Sequence, residues 1–356
     1  MRKGFQSIDL LPVVEALPDV LGGADTPAKW EARRAYIKEM LDFYMLGSRP
    51  ENDVPAQGEV LSSAPVYGGE GVRDEVRLFL GGGEHFDVEV IRPNRAGRFP
   101  AVVWSYFPFA KDCPIGAELI ARGYVLAAFD YNAVLKDDAA DPVSPARRAH
   151  PEVSWAATAV WGWGFSKVAD YLVTLPYVDP GKLVCTGHSR NGKAALAAGA
   201  YDERFAVVAP INSGCGGAGC FRFLGGATEV IQDPAKVESL GRIVHAFPHW
   251  FSPNLNQFGA AEAPYPVADE NRLPFDLHFL KALVAPRALI TIEGTEDLWS
   301  NVYGTYLTRV AAQPAFELTG APSHNFQIIR NGRHEYAARD WRWVLDYAQG
   351  VFEGKV

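Results

Sequence analysis

The chain has 356 residues, 48% hydrophobic and 21% charged, an ordinary soluble composition with room for one large core or two domains. A formal net charge of -8 argues against nucleic acid and against anionic membrane surfaces as partners. No apolar run is long enough to cross a bilayer, and the start Met1-Arg2-Lys3-Gly4-Phe5 carries no apolar signal core, so a cytoplasmic chain is expected unless a signal has been removed.

Residues 1–26 show little periodicity and are expected to form a surface arm. Residues 27–46 recur in apolar character near helical spacing (Trp30, Ile37, Leu41, Tyr44), behind a Thr26-Pro27 start. Residues 48–70 read as loop. Strands are expected at 75–80 and 86–91, an edge hairpin turning through Gly81-Gly82-Gly83. Two buried strands, 101–104 and 124–129, flank a short helix over 116–122. Residues 133–155 form a polar excursion, and 161–174 a helix. Strand 182–186 leads into Gly187-His188-Ser189-Arg190-Asn191-Gly192-Lys193, followed by an alanine-rich helix over 194–200. Strand 205–211 ends at Asn212-Ser213-Gly214-Cys215-Gly216-Gly217. Residues 218–280 are aromatic and aperiodic, an insertion expected to serve as a lid or cleft wall. Strand 288–292 precedes Glu293-Gly294-Thr295-Glu296-Asp297, strand 326–329 precedes Asn331-Gly332-Arg333-His334, and a helix over 337–352 closes the chain.

Strands alternating with helices predict an α/β fold with a mostly parallel central sheet flanked by helices, in one domain spanning 1–356. No internal repeat or linker divides it. The four cysteines (Cys113, Cys185, Cys215, Cys220) lack metal-ligand spacing and read as buried thiols. Cys215 and Cys220 are near enough in sequence to pair, though nothing requires it. No cofactor and no metal are expected, and the chain is expected to act as a monomer. Nine tryptophans, 14 tyrosines and 20 phenylalanines supply rings for the core and for the apolar faces of sugars.

The segment 182–200 is a strand, a sharp turn and a helix with Ser189 at the apex. Such a turn lifts a serine hydroxyl clear of the sheet and aims backbone N–H groups at whatever it attacks. An ordinary turn with an N-capping serine would look similar, and the fifth position of the G-x-S-x-G pattern is here Asn191, with glycine one residue later. The chain order separates the readings: Ser189, then an acid after a later strand, then His334 after the last one. That is the nucleophile–acid–base order of an α/β-hydrolase, at the carboxyl ends of strands where ligands bind in open sheets. A serine hydroxyl is too weakly acidic to attack an ester unaided, so His334 would take its proton while a carboxylate fixes the imidazole tautomer. Asp297 is preferred as that acid over its neighbour Glu296. His188 adjoins Ser189 in sequence, so its ring is expected to diverge from the serine, and His324 is the nearest rival to His334. Arg190 would place positive charge beside the developing oxyanion. Lys193, one turn on, would reach over the pocket to sugar hydroxyls, unless it is simply solvated.

At these residues the sequence resembles the glucuronoyl esterases of carbohydrate esterase family 15, particularly bacterial members. The elbow resembles their serine-arginine-x-glycine-lysine motif. Further likeness lies in Asn212 to Gly217, Phe247-Pro248-His249-Trp250-Phe251, Leu273-Pro274-Phe275-Asp276-Leu277-His278, Ala285-Pro286-Arg287, Glu296-Asp297-Leu298-Trp299, and Gly332-Arg333-His334 with Asp340-Trp341. The resemblance implies hydrolysis of glucuronic or 4-O-methylglucuronic acid esters, such as those joining xylan to lignin alcohols. It also implies catalytic Ser189 and His334, Arg190 at the oxyanion, and Lys193 and Trp299 on the uronate sugar. Some members carry the triad glutamate where this chain has Asn212, which favours the later Asp297. Glu229 is the counterpart suggested for the family's sugar-binding glutamate, in a shifted context. Two other readings stand beside this one: a related esterase acting on methyl or acetyl esters of another glycan, and a non-catalytic carbohydrate-binding protein, against which the intact Ser189, Asp297 and His334 argue.

Overall fold

The computed structural model describes residues 4–107, 112–141, 143–231, 233, 235–259 and 269–356. Nine strands form one sheet: β1 (Gln57–Val66), β2 (Gly71–Gly81), β3 (Glu84–Pro93), β4 (Phe99–Tyr106), β5 (Val125–Asp130), β6 (Val178–His188), β7 (Phe205–Ile211), β8 (Ala288–Gly294) and β9 (Asn325–Arg330). Their order is β1-β2-β3-β5-β4-β6-β7-β8-β9. The first three and the β3–β5 pair run antiparallel, and every pairing from β5 to β9 is parallel.

The central stretches of the inner parallel strands β4 to β8 are largely apolar because both faces are covered there. Val103, Leu183, Cys185, Val208 and Leu289 pack toward the helices Ala157–Leu172 and Arg190–Tyr201. Their neighbours Val102, Val184, Val207, Ile290 and Ile292 pack toward the helices Gly116–Ala121 and Ala338–Phe352, around Trp341 and Leu345. The side-chain alternation of strands therefore builds two cores from one sheet. The helix before the elbow lies close against the helix after it: a Cβ on Gly162 would sit 3.1 Å from Ala194 O. Residues 11–24 are pinned rather than loose. Leu11, Val20 and Ala24 are buried, and Pro18 O lies 2.8 Å from His278 Nε2.

Two expectations about the element order change. The loop expected over 48–70 contains β1, and this strand is the sheet edge, so the hairpin expected at the edge is interior. Nearly every residue of β1 is exposed, so its sequence carries no apolar alternation, and it is held by the backbone ladder to β2. A helix, Val302–Leu318, was not foreseen. It starts at a left-handed Asn301 whose side chain accepts from Gly304 N, buries threonines where apolar residues would mark a core face, and carries an internal proline. Cys215 and Cys220 are free thiols, Cys215 Sγ facing Cys220 O at 2.9 Å. Within the 218–280 insertion lie short helices at Leu240–Ala246, Pro253–Asn256 and His278–Ala282. Its residues 232, 234 and 260–268 fall outside the described residues.

Candidate active site

Four strand ends converge. β6 ends at His188 and delivers Ser189, β7 delivers Asn212, the loop after β8 carries Asp297, and the loop after β9 carries His334. Ser189 sits at φ 60°, ψ -125°, a conformation that L residues rarely adopt and that costs about 1–3 kcal/mol. It is held by its N–H on Ile211 O at 2.9 Å, while its carbonyl accepts from Gly192 N and Lys193 N. The turn needs glycine at two places. A Cβ at Gly187 would lie 2.4 Å from Asn191 O, and one at Gly192 would lie 2.9 Å from Ser213 Cβ. Gly192 thus meets the close approach, and Asn191 is free to be buried and accept from Ser105 Oγ at 2.9 Å. Arg190 opens the helix, so its N–H, next in the chain to Ser189, has no carbonyl of that helix to bond.

His334 and Ser189 line the same pocket of about 610 Å³, with Trp104, Phe107, Tyr336 and Trp341 among its walls. His334 Nδ1 lies 2.6 Å from Asp297 Oδ2. Asp297 is 4% exposed, and the same oxygen accepts from Asn212 Nδ2 and Ser300 Oγ, each at 2.7 Å. Burial raises its pKa, but the hydrogen bond and charge of His334, with Ser300 and Asn212, outweigh that and hold the carboxyl below the usual range. Glu296 points elsewhere: it is exposed and lies 3.4 Å from Arg333 Nε. Between the two neighbours, Asp297 is the one at the imidazole. Glu293 is buried, and burial together with the charge of Asp297 pushes its carboxyl well above the usual range. His324 is directed to Pro286 O at 2.7 Å, away from this set.

Several residues that sequence reasoning did not single out complete the site. Arg330 donates to Asp340 at 2.6 Å, to Glu335 O at 2.7 Å, to Arg333 O at 3.2 Å and to Asn212 Oδ1 at 3.3 Å, bracing the His334 loop from both sides. These contacts also fix the Asn212 amide, since Oδ1 faces a donor and Nδ2 an acceptor. Asp137, in the excursion after β5, pairs with the Arg190 guanidinium and takes His249 Nε2 at 2.8 Å and Trp250 Nε1 at 2.6 Å. Burial opposes the charge on Asp137, but the bonds from His249, Trp250 and Arg190 leave its carboxyl below the ordinary range. Arg190 also lies over the Trp250 ring, 4.8 Å from its centroid. The 218–280 segment thus reaches Arg190 and its partner Asp137 through His249 and Trp250, while the described lining of the Ser189 pocket comes from other segments.

Three expectations about side chains are corrected. Lys193 is 2% exposed, and its three protons go to Ser213 O (2.6 Å), Cys215 O (2.7 Å) and Glu238 Oε2 (2.7 Å), so it holds Glu238 rather than offering free donors to a sugar. Glu229 is exposed in a turn closed by the Gly225–Val230 bridge. The buried carboxylate at Lys193 is Glu238, nine residues on, in a stretch without periodicity to reveal it. Burial holds Glu238 above the ordinary carboxylate range against the pull of Lys193. Glu238 N donates to Trp299 O at 3.0 Å, so the half-buried Trp299, with Arg242 over its ring at 4.4 Å, stands beside this pair. Third, the His188 ring does not diverge from the site: its centroid is 4.4 Å from that of His334.

A mostly parallel sheet, a strained serine at a strand–helix turn and an aspartate-held histidine on the same pocket define an α/β-hydrolase with the constellation of a serine esterase. A family profile described as "Glucuronyl esterase, fungi" matches residues 81–320, and the chain belongs to that family. It is 32% identical over 309 residues to a 4-O-methyl-glucuronoyl methylesterase from Podospora anserina, covering 83% of this chain and 57% of that protein, so it spans little more than half of that relative. It is 29% identical to the 4-O-methyl-glucuronoyl methylesterase of Schizophyllum commune, covering 96% of this chain and 82% of that one. Among solved structures, a carbohydrate esterase family 15 glucuronoyl esterase from Caldicellulosiruptor kristjansonii superposes with a TM-score of 0.79 at 27% identity, covering 98% of this chain and 94% of that one.

Proposed function

We propose that this chain is a serine carboxylesterase that hydrolyses esters of glucuronic acid or its 4-O-methyl form through an acyl-enzyme. The observation that carries the reading is the 2.6 Å contact of Asp297 with His334 Nδ1, on an imidazole that shares its pocket with Ser189. The names and activities of the two fungal relatives support the uronate as the acyl part.

In this mechanism Ser189 Oγ attacks the ester carbonyl carbon while His334 Nε2 takes its proton. Asp297 keeps the imidazole in the tautomer with the proton on Nδ1 and stabilises it once charged. The tetrahedral oxyanion forms in front of the Arg190 N–H, and the Arg190 guanidinium, anchored by Asp137, adds fixed positive charge there. His334 returns the proton to the departing alkoxide as the carbonyl–oxygen bond breaks. Water, deprotonated by His334, then attacks the acyl carbon, and Ser189 leaves with that proton. Glu238 and Trp299 are assigned to the uronate ring, Lys193 keeping the Glu238 carboxylate in place. The reading is tested with benzyl and methyl glucuronate against acetylated sugars. Release of glucuronate by the protein but not by Ser189→Ala is expected, and a wild-type rate no greater than that of Ser189→Ala would remove the proposal.

A further inference from the structure

The mechanism uses His334 but leaves open what keeps its ring in place. Its side chain is 36% exposed, and Asp297 holds it through one nitrogen. A ring tethered at one atom can pivot about that bond and carry its far nitrogen away from the serine. We propose that His188 is a positioning residue for His334, its ring backing the catalytic imidazole so that Nε2 stays directed at Ser189; this rests on the esterase reading above.

The geometry points that way from both sides of His188. Its ring centroid is 4.4 Å from that of His334, at an interplanar angle of 45°. On another side it meets Phe107 edge-on at 6.3 Å. Its backbone is the last residue of β6, in register with Ile211 of β7, and the next residue is Ser189. The backing ring and the nucleophile thus belong to one rigid strand end, so holding the imidazole against one aims it at the other. The Nε2 atom of His188 is buried and has no hydrogen-bond partner among the described residues, so the imidazole makes no polar link there that would explain its presence.

The backing ring is also uncharged. Burial first, then the positive charges of His334 and Arg330, lower His188 to about 3, with Asp297 pulling the other way. The charged and titratable groups near the pair are Asp297 from the β8 loop, Arg330 from the end of β9 and Glu238, with Asp112, Arg190 and Tyr336 lining the same pocket. When His334 takes the serine proton, it is the only imidazolium of the two. A neutral ring against it adds contact without repulsion.

The test compares His188→Ala, His188→Phe and wild type in two readouts: labelling of Ser189 by a fluorophosphonate, which reports serine activation whatever the natural ester, and steady-state hydrolysis of benzyl glucuronate. Thermal melting establishes that each variant is folded. An alanine removes the backing ring, and misplacement on the ångström scale costs roughly 10- to 100-fold. His188→Ala is therefore expected to lose about that factor in labelling rate and kcat, with KM within about twofold. His188→Phe restores a ring and is expected to recover most of the loss, with the acid limb of kcat/KM unmoved because no charge was removed. Folded His188→Ala that labels at the wild-type rate overturns the proposal. So does His188→Phe as slow as alanine, or an acid limb shifted upward in the phenylalanine variant. If wild type labels but does not hydrolyse the glucuronate, the ester assignment fails while the labelling series still decides the role of His188.

Discussion

The orienting acid is the part of the site where the sequence offers two adjacent carboxylates and the structure separates them. In Asp297→Asn, three donors still converge where Oδ2 stood: His334 Nδ1 at 2.6 Å, Asn212 Nδ2 at 2.7 Å and Ser300 Oγ at 2.7 Å. An amide nitrogen there would face donors only. An amide oxygen there turns its NH2 toward Ser300 N, which now lies 3.3 Å from Oδ1. The second arrangement is the cheaper, but a neutral oxygen cannot match a carboxylate beside an imidazolium. At an effective dielectric near 20, unit charges at this separation attract by ~6 kcal/mol. The retained neutral hydrogen bond returns ~1 kcal/mol of that. The remainder, ~4–5 kcal/mol, is a loss of roughly 10³- to 10⁴-fold in kcat at 1.36 kcal/mol per decade. Glu296→Gln breaks an exposed 3.4 Å contact with Arg333 and is expected to stay within about twofold of wild type. Both variants are compared by kcat on benzyl glucuronate at neutral pH. Glu296→Gln falling further than Asp297→Asn, or Asp297→Asn keeping more than about a tenth of the rate, would refute the assignment.

Other outcomes follow from the same contacts. Asp137→Asn leaves the Arg190 guanidinium without its counter-charge, and a loss of about tenfold in kcat with KM little changed is expected, smaller than deleting an oxyanion donor outright; an unchanged kcat would release Arg190 from that role. Because Asp297 is held below the usual carboxylate range, its pairing contributes stability that is complete above an unfolded value of about 3.9 and is lost as pH falls through the lowered folded value. Asp297→Asn is therefore expected to weaken the acid-side fall in melting temperature, and an identical acid profile would count against the pairing. Lys281 is buried, donates to Thr305 O at 2.9 Å, and burial lowers it from 10.5 to about 7. The unfolded chain binds its proton through the window from about 7 to 10.5 where the folded chain releases it, so stability rises with pH across that window. A fall of that size is worth about 5 kcal/mol. Lys281→Met, losing ~1 kcal/mol of hydrogen bond, is expected to be the more stable protein at pH 7 and to flatten that rise. Urea unfolding at pH 7 and 9 measures both.

The sheet was legible where burial on both faces wrote continuous apolar runs, as in 183–185, 205–211 and 288–292. It was not legible in β1, whose outward residues owe their strand conformation to the ladder with β2. The helix Val302–Leu318 escaped for a related reason: its cap is a left-handed asparagine, and buried threonines bond back to carbonyls where apolar residues would have shown a stripe. Ser189, Asp297 and His334 were legible because each follows a recognisable strand. The residues that orient them were not. Arg330 reaches Asn212 across 118 positions, Arg190 reaches Asp137 across 53, and Lys193 reaches Glu238 across 45. Local pattern holds no record of such pairings. Glu229 stands out in the sequence and Glu238 does not, because the aperiodic 218–280 stretch gives no way to tell an exposed turn from a buried site.

The placement of the acid also explains why Asn212 is an amide. The family resemblance puts an acid at the end of either β7 or β8, and here the residues after those two strands, Asn212 and Asp297, are in direct contact. Here Asn212 Nδ2 donates to Asp297 Oδ2 at 2.7 Å, so a carboxylate at 212 would bring two acids to hydrogen-bonding distance in a buried site. Such a pair shares a proton, and the acid that keeps it cannot stabilise a charged histidine. Glu293, near the end of β8 itself, already shows that effect, since burial and then the charge of Asp297 push it well above the usual range. An amide avoids the competition and adds a donor to the carboxylate that remains. Its oxygen takes Arg330, which also grips the carbonyls on either side of His334. With the acid on β8, position 212 becomes the link by which the histidine loop and the acid loop are held in register.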